Sequence, residues 1–539
     1  MREVPVLIVG GGPVGLTASL LLSQLGIQSL LVERHPGTSI VPKARGINPR
    51  TMEIFRQCGI ETAVRAAGLP TGFAKYIVWT ESLAGREIDR RVPGGLVAAN
   101  RAMTPAPNCT CAQDDLEPVI RRFAEAASLA DLRFGTELTD FSQQNGAVTA
   151  TLLNRQDGTR SPIRARYLIA ADGAQSRTRG QIGARMVGEQ NIYDSVNIVI
   201  RANLAQWTQD RPAILYFVEQ PDLRGTFMTI NGTDRWGFLI HSLNQYGFQP
   251  ADFTPERCIA LIRQAVGVAD LEVTVLGVSP WEASAVVADR YRDGAVFLAG
   301  DAAHEMPPTG GFGLNTGVQD VHNLAWKIAA VLHGQAGDPL LDSYHSERQP
   351  VATITTFESL ANALSMGRTT RPISAMPARK EFLNEQGLIY GTTYASAAVI
   401  ADGTPPVPAE EVITTYVPSA RPGGRAPHVW LQRGDDRVST LDLFGPHFTL
   451  MTGPSGGDWR DAARRIAQSP ALPVRVYTIG VSGDLADHDG EWRTIYGLEA
   501  DGAVLVRPDG YVAWRNRSGC SAAFEVLTKV FDAILCRNA

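Results

Sequence analysis

The sequence predicts an α/β protein: a parallel α/β unit at the N-terminus, an antiparallel β-sheet inserted into it, and a separate C-terminal unit. Three observations carry this. A glycine-rich turn sits between a short apolar run and a helical run at residues 10–15; residues 195–243 change to short β-rich runs parted by polar turns; and Pro-containing stretches at 369–377 and 402–411 precede a fresh α/β pattern. The expected division is 1–180 with 280–365, 181–279, a helical linking segment 366–410, and 411–539.

VPVLIVG is continuous and rich in Val and Ile, which suits a parallel strand buried on both faces. Pro13 to Leu25 reads as a helix and SLLVERH as the next strand, completing a βαβ unit. Helices are expected in TMEIFRQCG and LEPVIRRFAEAAS, strands in VTATLL and ARYLIAADG. The insert follows with SVNIVIRANL, AILYFVEQ, GTFMTIN and RWGFLIHSL; GAVFLAG then returns to the buried-strand pattern, and Gly317 to Leu332 is helical. The C-terminal unit holds FTLMTG, VRVYTIG, the hairpin VLVRPDGYVAW and a last helix with Phe524, Leu527, Phe531, Ile534 and Leu535 at helical spacing.

Composition excludes several classes. With 539 residues, 44% apolar, 19% charged and a formal charge of -5, nothing favours nucleic acid or an anionic membrane surface. Residues 4–32 lack charge, but Gly10, Gly11, Gly12, Pro13, Gly15 and Gly26 break the apolar run, so neither a signal peptide nor a membrane span is expected. Six cysteines without a CxxC pair suit reduced thiols in a cytoplasmic protein.

Gly10, Gly12 and Gly15 form GxGxxG between strand and helix, and Glu33 ends the following strand. Such glycines let backbone approach a pyrophosphate, the helix N-terminus meets its charge, and the carboxylate accepts ribose hydroxyls. This Rossmann-like motif does not separate FAD from NAD, and Arg34 suits an NADP 2′-phosphate. The second loop, GDAAHEMPPTGGFGLNTG at 300–317, decides for FAD, which is long enough to need a second cradle at its ribityl and flavin end.

GGGPVG with Glu33, ARGINPRTMEIF, AADGAQSRTR and AGDAAHEMPPTGGFGLNTGVQD together resemble the single-component (group A) flavin-dependent aromatic hydroxylases. The resemblance is to the branch holding phenol hydroxylase and the anthracycline and angucycline polyketide hydroxylases, aklavinone hydroxylase among them. It implies a tight, non-covalent FAD held by Gly10, Gly12, Pro13, Val14, Gly15 and Glu33, with Arg34 beside the adenine. Arg45 and Gln113 would touch the flavin or ribityl chain, Asp172 the FAD and NADPH, Asp301 after Gly300 the ribityl chain. Pro308, Gly311, Gly313, Leu314 and Asn315 would wrap the ring edge. It also implies a thioredoxin-like C-terminal domain, here without CxxC.

The implied chemistry is reduction of FAD by a transient NADPH, addition of O2 to give a C4a-hydroperoxide, and oxygen transfer to a phenolic or polyketide aromatic ring. A Baeyer-Villiger or epoxidising enzyme of the same fold, or a flavin protein without turnover, are the competing readings, and a homodimer stays open. Substrate-contact candidates are Tyr216, Phe217, Phe227, Met228, His241 and Pro307; alternation alone does not say which face of the sheet meets the flavin. No residue declares itself as a base. HEMPP lacks the second histidine of HExxH, so no metal is expected.

Overall fold

The computed structural model describes residues 1–92, 102–366, 385–406, 412–468 and 472–537. Five strands run parallel in the order Val296–Leu298, Arg160–Ala170, Arg2–Val9, Ser29–Glu33, Ala130–Phe134. Consecutive residues Val6, Leu7 and Ile8 are all fully buried, so both faces of the sheet are covered, as a Val/Ile-rich run requires. Helices Pro13–Gln24, Gln113–Ala126 and Gly313–Leu332 share its core.

A second sheet of eight strands lies beside it. Its antiparallel centre is Thr274–Ala288, Met186–Arg201, Arg235–His241, Arg224–Thr229 and Ala213–Glu219, and the two strands Tyr76–Thr80 and Glu87–Arg91 extend it from far upstream. Neither of these two was anticipated, because the decisive pairing of Tyr76–Thr80 with Ala213–Glu219 is long-range. Thr274–Ala288 also runs through the expected boundary at 279/280. Its Gly277 and Pro280 read as breakers, yet Pro280 is exposed and its flank of the strand lies at an edge, where a missing N–H is harmless. One face of the sheet packs Val196, Ile198, Tyr216, Phe227, Trp236 and Phe238 against the helix Pro255–Val266.

The C-terminal sheet has the order Val474–Thr478, Phe448–Thr452, Ala503–Val506, Val512–Asn516, with the first pair parallel and the others antiparallel. Helices Gly457–Ala467 and Ala523–Ile534 pack on it, giving the thioredoxin-like arrangement. The Pro-containing stretch 369–377 lies outside the described residues, as does the end of 402–411; of the expected helical linker, only Gln386–Tyr390 is seen as helix.

Helix Gly313–Leu332 is the spine between the parallel unit and the C-terminal unit. Trp326 and Ala330 join the C-terminal core, while Asn323 and Lys327 enter a cluster of buried charge. There Glu347 receives Lys327 at 2.7 Å and both terminal nitrogens of Arg507 at 2.6 and 2.9 Å, Arg507 also meets Asp509, and Asn323 donates to Glu347 and Asp509. These cations hold the Glu347 carboxyl well below the carboxylate range. On the other flank, Arg425 pairs with Glu53 at 2.5 Å, again across the two units.

Candidate active site

The glycine turn is built by close approach. Gly10 has φ +112° and its N–H donates to Val32 O at 2.8 Å; a Cβ there would stand 2.1 Å from Ala171 O, and one on Gly15 would stand 2.0 Å from Gly10 O. Gly12 differs, because a Cβ there would meet only Glu117 Oε1, at 4.0 Å. Its lack of a side chain keeps open the space before helix Pro13–Gln24. That helix has no side-chain cap and no acid in its first turn, so its N–H groups and positive dipole end are available to an anion. Glu33 accepts Gly11 N at 2.7 Å and His35 N at 2.9 Å. Arg34 is exposed beside it.

The far loop is pinned from three sides. Gly300 has φ +60°, its N–H donates to Asp320, and a Cβ on Gly300 or Gly317 would lie 2.9 or 2.6 Å from Val14 Cγ2. Val14 therefore wedges the N-terminal turn directly against the second loop. Buried Asn315 donates to Gly46 O at 2.8 Å and Gly311 O at 2.6 Å and accepts from Asn48 N at 3.0 Å, clasping the loop to ARGINPR. Ser359 donates to Pro307 O at 2.5 Å and Thr309 O at 3.1 Å from the helix Asp342–Ser365. Gly310 (φ +116°) and Gly311 (φ +67°) make the turn into helix Gly313–Leu332, which also starts without a side-chain cap or acid. Pro308 is exposed at the loop's crest, and Leu314 packs its base.

Asp301 is open to water yet ringed by protein, and that crowding outweighs His304 and Lys43 to raise its carboxyl above the usual range. Such a group lies on the floor of a cleft. Arg45 is similar: partly exposed, with its guanidinium pulled down to about 10 by burial, it donates to Thr229 O at 3.0 Å and Ile214 O at 2.8 Å. It thus bridges the clasped loop to the second sheet. Gln113 N donates to Ala44 O, and its side chain to Glu117 at 2.6 Å. Asp172 shapes its own turn, accepting from Ser176 Oγ at 2.6 Å and from Thr178 N and Oγ1 at 3.2 and 3.0 Å, with Gly173 at φ +83°.

His304 and Glu305 separate in role. His304 is fully buried, with Nε2 on Asp320 at 2.7 Å, and Asp320 in turn takes Arg348 at 2.9 Å: it braces the spine helix. Glu305 is pushed up to about 7 by burial and by Asp301, against the pull of Arg179 and His304. Between the ordinary value of 4.5 and about 7, folded protein keeps a proton that the unfolded chain has lost, so stability falls as pH rises across that window. Glu305→Gln should therefore raise the stability of the FAD-free protein near pH 7.5 by ~1–2 kcal/mol, after discounting for partial exposure. Melting curves at several pH values check this; curves that stay parallel to wild type from about pH 5 to pH 7.5 contradict it.

The second sheet turns its other face to this cleft. Trp79, Phe217, Thr226, Leu239 and Asn197 form one cross-strand row on that face, and Leu215, Met228, Gly237, Val199 and Gly277 the next. Asn197 donates to Pro42 O at 3.1 Å, and Val199 packs with Val41 and Ala112, so the Val41–Arg45 segment is a wall shared by sheet and cradle. Phe217 stacks on Trp79 at 5.1 Å, and His241 meets Ser195 at 3.1 Å between the rings of Tyr193 and Trp281. Tyr216 and Phe227 require correction. They project into the opposite core, 1% and 0% exposed, and the Tyr216 hydroxyl is used by Arg211 O and Ala213 N. Alternation puts them on the face opposite Phe217 and Met228.

Sequence reasoning missed Arg179 and Ser359. Arg179 joins Ala174 O at 2.6 Å to Ala302 O at 3.1 Å and so ties the Asp172 turn to the Asp301 turn. Ser359 lies on a helix whose Pro350 obscured it. The bonds of Arg179 to Ala302 and of Ser359 to Pro307 and Thr309 have no local signal, since those partners lie far off in sequence.

Two uncapped helix N-termini, a glycine-lined gap and a cleft carboxylate fit an FAD. The fold and site thus define an FAD-binding protein. Residues 3–359 match the family model described as FAD binding domain, and residues 419–535 that of the aromatic-ring hydroxylase C-terminal domain. The chain belongs to the FAD-dependent aromatic-ring hydroxylases. It is 38% identical to tetracenomycin A2 monooxygenase-dioxygenase of Streptomyces glaucescens, covering 100% of this chain and 98% of that one. It is also 38% identical to 4-methyl-5-nitrocatechol 5-monooxygenase of a Burkholderia species, covering 99% and 98%. The structure of aklavinone-11 hydroxylase with FAD and aklavinone superposes with a TM-score of 0.90 at 35% identity over 100% of both chains. The resemblance read from the four motifs is borne out. No helix among the described residues is long and apolar enough to cross a membrane.

Proposed function

We propose that the chain is an NAD(P)H-dependent monooxygenase that hydroxylates a phenolic or polycyclic aromatic substrate in the cytoplasm, with NADPH as the donor. The observation that carries this is the close packing of Val14 against Gly300 and Gly317, which brings together two glycine-rich turns that each open an uncapped helix. Bound flavin supplies electron transfer from the nicotinamide and the activation of O2.

The chain's own residues do the rest. Gly10, Gly12, Pro13, Gly15 and Glu33 hold the ADP half, Arg34 lies at the adenine, and Arg45, Gln113 and Asp301 meet the ribityl and ring. The Pro308–Asn315 turn would present backbone N–H groups to the bound ring, and the N-terminal dipole of helix Gly313–Leu332 would favour negative charge placed there. Phe217, Met228, Leu239, Pro307 and His241 line the substrate side and exclude water from the oxidising step. With these roles, 1–75, 102–180 and 289–365 form the cofactor domain, and 181–288, with 76–91 added, the substrate domain.

NADPH oxidation by the FAD-loaded protein, measured against a panel of phenols and hydroxylated polycyclic aromatics, tests the proposal. A ring substrate should accelerate flavin reduction, with NADPH more effective than NADH. Indifference to every member of the panel would point to a flavin protein without turnover.

A further inference from the structure

Asn197 stands on the cleft-facing side of the strand Met186–Arg201, 8% exposed. Its Nδ2 donates to Pro42 O at 3.1 Å. That bond fixes the amide's orientation, because the flipped form would set two acceptors against each other. Oδ1 then points the other way, and it has no hydrogen-bond partner. A buried carbonyl oxygen in this condition is unusual in a native fold and calls for a donor that the protein itself does not supply.

The surroundings say where the donor comes from. A Cβ on Gly237 would lie 3.4 Å from Asn197 Oδ1 and 2.8 Å from Met228 Cε, so carbonyl and thioether methyl overlie the same glycine. Gly277, Val199 and Leu239 complete the strip, and none carries a side-chain donor. Met228 is partly exposed to the cleft and is an unbranched, easily rotated side chain. Turning it aside would uncover Oδ1 above Gly237 and beside Gly277, which carry no side chains.

We infer that Asn197 is a specificity-determining residue whose Oδ1 accepts a hydrogen bond from a hydroxyl of the aromatic substrate once Met228 has moved. This rests on the aromatic-substrate reading above. It selects rings that carry a free hydroxyl, and it holds them against the sheet by a contact independent of the flavin.

The test measures dissociation constants from perturbation of the flavin spectrum in FAD-loaded protein. The probes are 2-naphthol with 2-methoxynaphthalene, and 2-hydroxyanthraquinone with 2-methoxyanthraquinone. Wild type should bind at least one free hydroxyl probe roughly tenfold more tightly than its methyl ether. Asn197→Leu should bring the two within about twofold by weakening only the hydroxyl probe, and Asn197→Ala, which removes the acceptor without bulk, should do the same. Binding of the methyl ether shows that each variant keeps its pocket. Unchanged discrimination in both variants, or equal weakening of both probes, overturns the role of Asn197 and leaves the hydroxylase reading standing. Wild type that binds none of the four probes overturns both.

Discussion

Gly12→Val protein folds with a near wild-type melting temperature when FAD-free, but its affinity for FAD falls by about 100-fold or more, ~2.7 kcal/mol. The reason is the asymmetry of the three glycines. A Cβ on Gly10 or Gly15 drives into backbone 2.1 or 2.0 Å away, so substitution there damages the fold itself. Gly12 lies at φ -77°, and a Cβ there would meet nothing nearer than Glu117 Oε1 at 4.0 Å, so a side chain is accommodated by the chain and enters the space before the helix N-terminus. Equilibrium titration of FAD into the refolded apoprotein measures the loss. An unchanged affinity would mean that the pyrophosphate does not lie over Gly12.

Glu347→Ala destabilises the protein by ~3–5 kcal/mol, because it leaves Lys327 and Arg507 buried around a missing carboxylate. Lys327→Met changes stability by no more than about 1 kcal/mol. Burial already pulls the Lys327 ammonium down to about 8, so its charge gains little there, and Arg507 continues to hold Glu347 by two bonds. Denaturant unfolding of both variants gives the comparison. Equal losses would show that packing, and not charge, dominates this junction. The C-terminal unit contributes Arg507 and Asp509 to this junction and Arg425 to the separate pair with Glu53.

Much of this was legible because the signals are local. GxGxxG with Glu33 reports its own turn, and the Gly/Pro density of 300–317 reports a second backbone cradle. The four motifs together gave the family. What stayed hidden depends on tertiary pairing. The face of Ala213–Glu219 that meets the cleft is set by register with Tyr76–Thr80 and Arg224–Thr229, and a one-residue difference decides between Tyr216 and Phe217. Arg179, Ser359 and Asn197 act through backbone carbonyls of distant loops, and no spacing in the sequence announces such partners. HEMPP denies His304 a second histidine as a metal partner, and its burial against Asp320 makes it a brace.

The central claim is oxygen transfer to an aromatic ring, and isotope labelling tests it most directly. The FAD-loaded protein, NADPH and an accelerating phenol are incubated under 18O2, and the product is analysed by mass and by position of the label. The account predicts one 18O atom in a new ring hydroxyl for each NADPH consumed in coupled turnover. Label in a lactone or an epoxide would place the enzyme with the other oxygenases of this fold, and hydrogen peroxide with no labelled product would contradict the claim outright.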